Sequence, residues 1–203
     1  MDLTQQLLAQ KKEFLVPCVY HFYQRPPVLV RGEAAHVFDA EGKCYLDCYS
    51  GVTVVSAGHS NPEIINAAIS QMRCLQHTTT IYLTEPMLEL ASVIADLAPG
   101  RLRRSFFCAS GSEANEGALL LAALATGRQE CVYLKNGLHG RTKWAMSVTG
   151  LDMWRTDPNP LLTAHAIPGP RHPESLPALE NLLRRGTIAA LIAEPIQGNG
   201  GII

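Results

Sequence analysis

An excess of charge of either sign is missing from this sequence. Its 203 residues carry a formal net charge of −1, and the basic residues stand singly or in short pairs such as Arg103-Arg104 and Arg184-Arg185. No cationic stripe is left to follow a phosphate backbone, so the expected partner is a small molecule and not a nucleic acid. Long apolar runs are missing too: the longest, Ala118 to Ala125, falls far short of a bilayer-spanning helix. The N-terminus, Met1-Asp2-Leu3-Thr4-Gln5-Gln6, bears an early acid and soon turns polar, unlike a secretory signal. A soluble, cytoplasmic protein without a membrane segment is expected.

Cysteine motifs are equally scarce. Cys18, Cys44, Cys48, Cys74, Cys108 and Cys131 include no Cys-x-x-Cys pair, so free, buried thiols are expected rather than disulfides or zinc ligands. The seven histidines show no metal-ligand spacing, and no metal is expected. There is no Gly-x-Ser-x-Gly elbow, which argues against a serine hydrolase built on Ser112 and His139. Apolar material is plentiful: 47% of residues are hydrophobic against 17% charged, enough for a packed globular core.

Val28–Gly32, His36–Asp39 and Cys44–Asp47 are short β-prone stretches separated by turn residues, which predicts a small antiparallel meander. Asn61-Pro62-Glu63 then supplies a cap, a proline at the first helical position and an early acid, followed by Ile64, Ile65, Ala68, Ile69, Met72 and Leu75 at helical spacing. A second helix is predicted from about Pro86 to Leu97, stopped by Pro99-Gly100, and Ser105–Cys108 has the look of a buried strand. Helix Glu113–Thr126, strand Cys131–Leu134, helix Leu176–Arg185 and strand Ile188–Ala193 continue the alternation, implying an α/β fold with a mostly parallel sheet flanked by helices. Six prolines between Thr149 and Pro177 mark an irregular excursion with at most a short strand at Ala164–Ile167. The expected organisation is an N-terminal segment with the meander over residues 1–60, and an incomplete larger domain over 61–203. The ending, Gly200-Gly201-Ile202-Ile203, follows a strand and turn directly and reads as a cut in mid-domain.

Three strings carry chemistry. Ser110-Gly111-Ser112-Glu113 joins a predicted strand to a helix at capping-box spacing, so N–H groups and hydroxyls gather at the positive end of a helix, a site suited to a phosphate. Asn136-Gly137-Leu138-His139-Gly140-Arg141-Thr142 follows the next strand, and Glu194 within Ala193–Gly201 follows the last, so both belong at the C-terminal sheet edge where open α/β folds bind ligands. Each alone has an ordinary reading: a capped helix, a loop histidine facing water, a solvated acid in a turn.

In this order the three strings resemble those of the class III aminotransferases of pyridoxal-phosphate (PLP) fold type I: Ser-Gly-(Ser/Thr)-Glu-Ala, aromatic-His-Gly-Arg-Thr and Glu-Pro-x-Gln-Gly. The likeness begins earlier, at Val37–Lys43, Tyr45-Leu46-Asp47, Ser50-Gly51 and Gly58-His59-x-x-Pro62, and so covers nearly the whole chain. The resemblance implies that Gly111 and Ser112, with Ser110 beside them, bind the phosphate of pyridoxal 5'-phosphate. It implies further that Leu138 and His139 cover the ring face, and that Glu194 lies near the ring's reactive side. Ser50, Gly51, Tyr82 and Asn199 fall on the substrate side, and the whole protein would be a homodimer. Same-fold aminomutases, racemases and decarboxylases share these motifs, and a non-catalytic fragment is a further alternative.

Two departures stand out. Leu138 occupies the position usually held by Tyr or Phe, which removes a stacked ring. Asn199 replaces a Glu that pairs with an arginine in the ornithine and 4-aminobutyrate enzymes; a neutral amide cannot form that pair, which points toward relatives using alanine, glyoxylate or pyruvate. The family's Asp-Glu-x-Gln motif and Schiff-base lysine lie downstream of Glu-Pro-x-Gln-Gly, and neither occurs here. Lys11, Lys12, Lys43, Lys135 and Lys143 are the lysines present, and none is placed to substitute. The expectation is therefore a family member whose 203 residues are inactive by themselves.

Overall fold

The computed structural model describes residues 2–19 and 21–203, and the chain divides into two units, Met1–Thr84 and Glu85–Ile203. In the first, Asp2 caps helix α1 (Leu3–Phe14) by accepting from Gln5 N at 2.9 Å. Strands β1 (Leu29–Glu33), β2 (His36–Asp39) and β3 (Cys44–Leu46) pair antiparallel in the order β1-β2-β3, as the turn residues between them predict. Asp39 closes the second hairpin: Oδ1 accepts from Glu41 N and Lys43 N, and Oδ2 from the Tyr45 hydroxyl at 2.7 Å. A single turn, α2 (Ser50–Thr53), precedes α3 (Pro62–Cys74), where the Asn61 side chain accepts from Glu63 N and Ile64 N. Helix α1 has no buried residue and only a faint apolar stripe, which is why periodicity does not reveal it.

The second unit is built around one strand. After α4 (Glu85–Leu97) and α5 (Gly111–Thr126), strand β4 (Glu130–Leu134) lies centrally in a parallel sheet of order β5-β4-β6, with β5 (Ala164–Ile167) and β6 (Ile188–Ile192) on its two sides. Short α6 (Lys143–Ser147) lies between β4 and β5, and α7 (Ser175–Leu183) between β5 and β6. Successive residues of β4 point to opposite faces. Cys131 and Tyr133 pack with Leu119 of α5, Val148 and Leu162 on one side; Val132 and Leu134 pack with Ile167, Leu182 of α7 and Ile188 on the other. Burial on both faces explains why β4 is a continuous apolar run instead of an alternating one.

Two expectations fail here. Ser105–Cys108 is not a strand of this sheet, and Phe106 and Phe107 are exposed. Apolar composition suggests a strand, but a strand needs a neighbour to accept its ladder bonds, and composition does not supply one. Buried thiols are expected, yet of the six cysteines only Cys131 is buried. It alone sits in the central strand; the other five lie on segments with an uncovered face in this chain.

Candidate functional site

Because β5 and β6 flank β4, the chain leaves β4 toward one side and returns on the other, and the loops after β4 and β6 come together at the C-terminal sheet edge, where open α/β folds bind ligands. Residues 135–142 leave β4 at this edge, and residues 193–201 leave β6 beside them. The Leu138 amide donates to Glu194 Oε2 at 3.0 Å, joining the two loops directly. Gln197, 1% exposed, donates from Nε2 to Lys135 O at 2.9 Å and braces the same junction from below. Glycine is required where the loops touch: a Cβ on Gly200 would lie 2.7 Å from Asn136 O.

The third segment arrives with helix α5. Ser110 has extended backbone and its Oγ accepts from Glu113 N at 3.2 Å, the first half of the capping box its spacing predicts, while Glu113 Oε2 reaches one residue further back than the N-cap and accepts from Ala109 N at 3.0 Å. The first-turn N–H groups of a helix have no partner within the helix, and this helix of 16 residues adds its positive dipole end to them. Ser112 Oγ accepts from Arg141 N at 3.0 Å, which ties the helix start to the β4 loop. Gly140 permits the approach: its φ is 140°, and a Cβ there would lie 2.6 Å from Ser112 Oγ.

His139 is buried, 4% exposed, so the ordinary alternative of a loop histidine facing water does not hold. Its backbone is held from two sides, with N donating to Thr149 Oγ1 at 3.1 Å and O accepting from Asn115 Nδ2 at 2.6 Å. The Thr149 hydroxyl in turn donates a hydrogen bond to Ala145 O at 3.0 Å. His139 Nε2 is buried without a hydrogen-bond partner and lies against Gly137, where a Cβ would be 3.0 Å from Nε2 and 3.6 Å from Glu194 Oε2. Burial holds the imidazole pKa below its ordinary value, so the ring is neutral near pH 7. Asn115, Thr149 and Gln197 are the contributors that motif reading leaves without a role. Gln197 is the Gln of Glu-Pro-x-Gln-Gly, whereas the signal for Asn115 and Thr149 is a polar residue close to a motif, which is too common to single them out.

Ser110, Gly111, Ser112, Leu138, His139 and Glu194 therefore meet at one edge of one sheet. Asn199 is in the same 193–201 loop and is exposed. Ser50, Gly51 and Tyr82 belong to the first unit, the first two in α2 and the third exposed between α3 and α4.

The aminotransferase class III family model matches residues 21–203. The chain belongs to this family. It is 36% identical to alanine–glyoxylate aminotransferase 2 homolog 2, mitochondrial, of Arabidopsis thaliana, over 97% of this chain and 44% of that protein. It is 35% identical to an acetylornithine aminotransferase of Methanothermobacter thermautotrophicus, over 98% of this chain and 49% of the relative. Among solved structures it superposes on a thermostable (S)-enantioselective ω-transaminase of Thermomicrobium roseum with a TM-score of 0.87 at 31% identity, covering 100% of this chain and 52% of that one. An ornithine aminotransferase of Toxoplasma gondii, described with partial occupancy of PLP at its active site, superposes with a TM-score of 0.82 at 25% identity, covering 99% and 48%. This class III aminotransferase chain thus has the architecture of fold type I and spans about half the length of the relatives it matches.

Proposed function

We propose that the sheet edge where the loops after β4 and β6 meet the start of α5 is the pyridoxal-phosphate site of an aminotransferase. That enzyme moves an amino group from an amino acid or amine to a keto acid such as glyoxylate or pyruvate. The observation that carries the reading is the joining of three segments by two bonds, Leu138 N to Glu194 Oε2 and Arg141 N to Ser112 Oγ. The residues fit the cofactor: the start of α5 offers N–H groups and dipole to an anion, and the space a Cβ on Gly111 would enter is open within 4 Å. When bound, the cofactor supplies an electron sink for the carbanion formed at the substrate.

What the chain's own residues do follows from their placement. Gly111 and Ser112 hold the phosphate by backbone N–H groups, with the Ser110 and Ser112 hydroxyls beside them. Leu138 presents an apolar surface to one face of the ring. His139, buried and neutral, packs behind it, with its Nε2 unpartnered. Glu194 steadies the loop through the Leu138 amide and brings a carboxylate to the site. Ser50, Gly51, Tyr82 and Asn199 are read as substrate-side residues, and Asn199, being neutral, favours the alanine, glyoxylate or pyruvate relatives. A homodimer is part of this reading, supported by the apolar surface left open on α3 and α5. A sequence without a Cys-x-x-Cys pair suits a reducing compartment, which we take to be the cytoplasm.

Equilibrium dialysis of the 203-residue chain tests this. Pyridoxal phosphate should bind at least tenfold more tightly than pyridoxal, on the order expected of charge-assisted bonds to a phosphate, and Ser112→Glu should abolish the difference. Equal affinity for the two ligands would contradict the phosphate site.

A further inference from the structure

Four consecutive residues of the first unit, Ser50, Gly51, Val52 and Thr53, have φ of 48, 60, 66 and 61°. With ψ of 39° at Gly51 and 52° at Val52, α2 is a left-handed helical turn, closed by Thr53 N donating to Tyr49 O and Val54 N to Ser50 O at 3.0 Å each. L-residues avoid such turns because Cβ crowds the following carbonyl oxygen, and glycine is the usual exception. Only one of the four is glycine, and Val52 and Thr53 are β-branched, the residues least suited to this conformation. A turn of this kind persists only where its surroundings over-determine it.

Two side chains supply that constraint. Asp47 Oδ1 accepts from both Tyr49 N and Ser50 N at 2.9 Å, fixing the entry to the turn. Asp47 Oδ2 is bonded to His59 Nε2 at 2.6 Å. His59 is itself anchored to the sheet corner, its N donating to Ala34 O at 2.8 Å and its O accepting from Ala34 N at 2.9 Å. The His59 ring lies on Gly32, where any Cβ would be 2.7 Å from it, and Ser60 Oγ donates to Gly32 O at 2.8 Å. Contacts thus run unbroken from β1 through His59 and Asp47 to Ser50. The bond from His59, followed by those from Ser50 N and Tyr49 N, holds the Asp47 carboxyl below its ordinary pKa.

We infer that Asp47 and His59 are positioning residues that clamp the left-handed turn Ser50–Thr53, and through it set the direction of Ser50 and Gly51. The clamp stands on its own geometry; its consequence for substrate rests on the reading of Ser50 and Gly51 given above. Released from it, the turn relaxes to ordinary backbone and both residues lose their fixed direction.

Hydrogen exchange read by mass spectrometry on the 203-residue chain tests the clamp. In His59→Ala the amides of residues 49–55 should exchange faster by on the order of tenfold to a hundredfold, the ratio for losing one hydrogen bond to a charged group, while β4 and α7 keep their protection. His59→Gln, which can still donate, should restore most of the protection, and Asp47→Ala, which removes both arms, should exceed His59→Ala. Should His59→Ala open the whole meander, His59→Gln decides: protected strands with an open turn would overturn the inference. Unchanged exchange at residues 49–55 in both alanine variants, with β1–β3 still protected, would overturn it as well. Pyridoxal phosphate binding by the unmutated chain is measured in parallel. Its absence would remove the substrate-side reading and leave the clamp standing, whereas normal binding with unchanged exchange removes the clamp alone.

Discussion

Leu138 is the residue at which this chain departs most from the motif around it, and it lies half-buried at the site with its amide on Glu194. An aromatic side chain there would stack on the flat ring of the cofactor. Leu138→Tyr should therefore tighten pyridoxal phosphate binding by about 0.5–1.5 kcal/mol, read by titration; unchanged or weaker binding would mean that something else packs that face. His139 gives a second expectation, in pH. Its folded pKa lies below the ordinary value of 6.5, so as pH falls below that value the unfolded chain takes up a proton that the folded chain refuses. Stability is retained above the unfolded pKa and lost as pH falls toward the folded one. The urea midpoint should fall more steeply between pH 7.5 and about 5 in the natural chain than in His139→Asn, and equal slopes would contradict burial of the neutral ring. The motif marks His139 as a site residue, but its burial depends on Thr149 and Asn115, which close on it from elsewhere in the chain. No local pattern carries that information.

At the level of elements, the junction between α5 and the β4 loop depends on Gly140. Gly140→Ala forces a Cβ within 2.6 Å of Ser112 Oγ and 2.9 Å of Ala145 Cβ, and should cost about 1–3 kcal/mol while weakening cofactor binding. Gly127→Ala is the control. It also has positive φ, 67°, but nothing lies within 4 Å of its Cβ, so it should cost only about 1–2 kcal/mol and leave cofactor binding unchanged. Chemical unfolding with parallel titration separates the two. Most elements of the second unit are legible in the sequence, because β4 and β6 are short apolar runs bounded by turn residues, α4 and α7 carry apolar stripes at helical spacing, and the Ser110 cap marks where α5 starts. Those that were not legible lack such a signal. Helix α1 buries nothing, the left-handed α2 contradicts the preferences of its own residues, and Ser105–Cys108 has strand composition without a strand beside it.

For the molecule as a whole, large apolar side chains remain on the surface, among them Leu120, Leu121 and Leu124 of α5 and Ile64, Ile65 and Met72 of α3. Exposed apolar area of this kind associates, so the 203-residue chain should bind a hydrophobic dye and self-associate with rising concentration; a dye-silent monomer would contradict that expectation. Among the described residues, no helix is long and apolar enough to cross a membrane, so these faces are not a helical membrane span. Amino transfer from alanine to glyoxylate should be absent from this chain alone, since its lysines are Lys11, Lys12, Lys43, Lys135 and Lys143, and Lys143 is already paired with Asp157 at 2.7 Å. Cofactor binding asks less of the chain than activity does: on the proposed reading, three segments distant in sequence form one phosphate-bearing cofactor site. Hydrogen exchange of the chain with and without pyridoxal phosphate tests it most directly. Protection should rise together in residues 109–114, 136–142 and 194–197, and with pyridoxal the first of these should stay unprotected. Protection confined to one segment, or equal for the two ligands at residues 109–114, would contradict the claim.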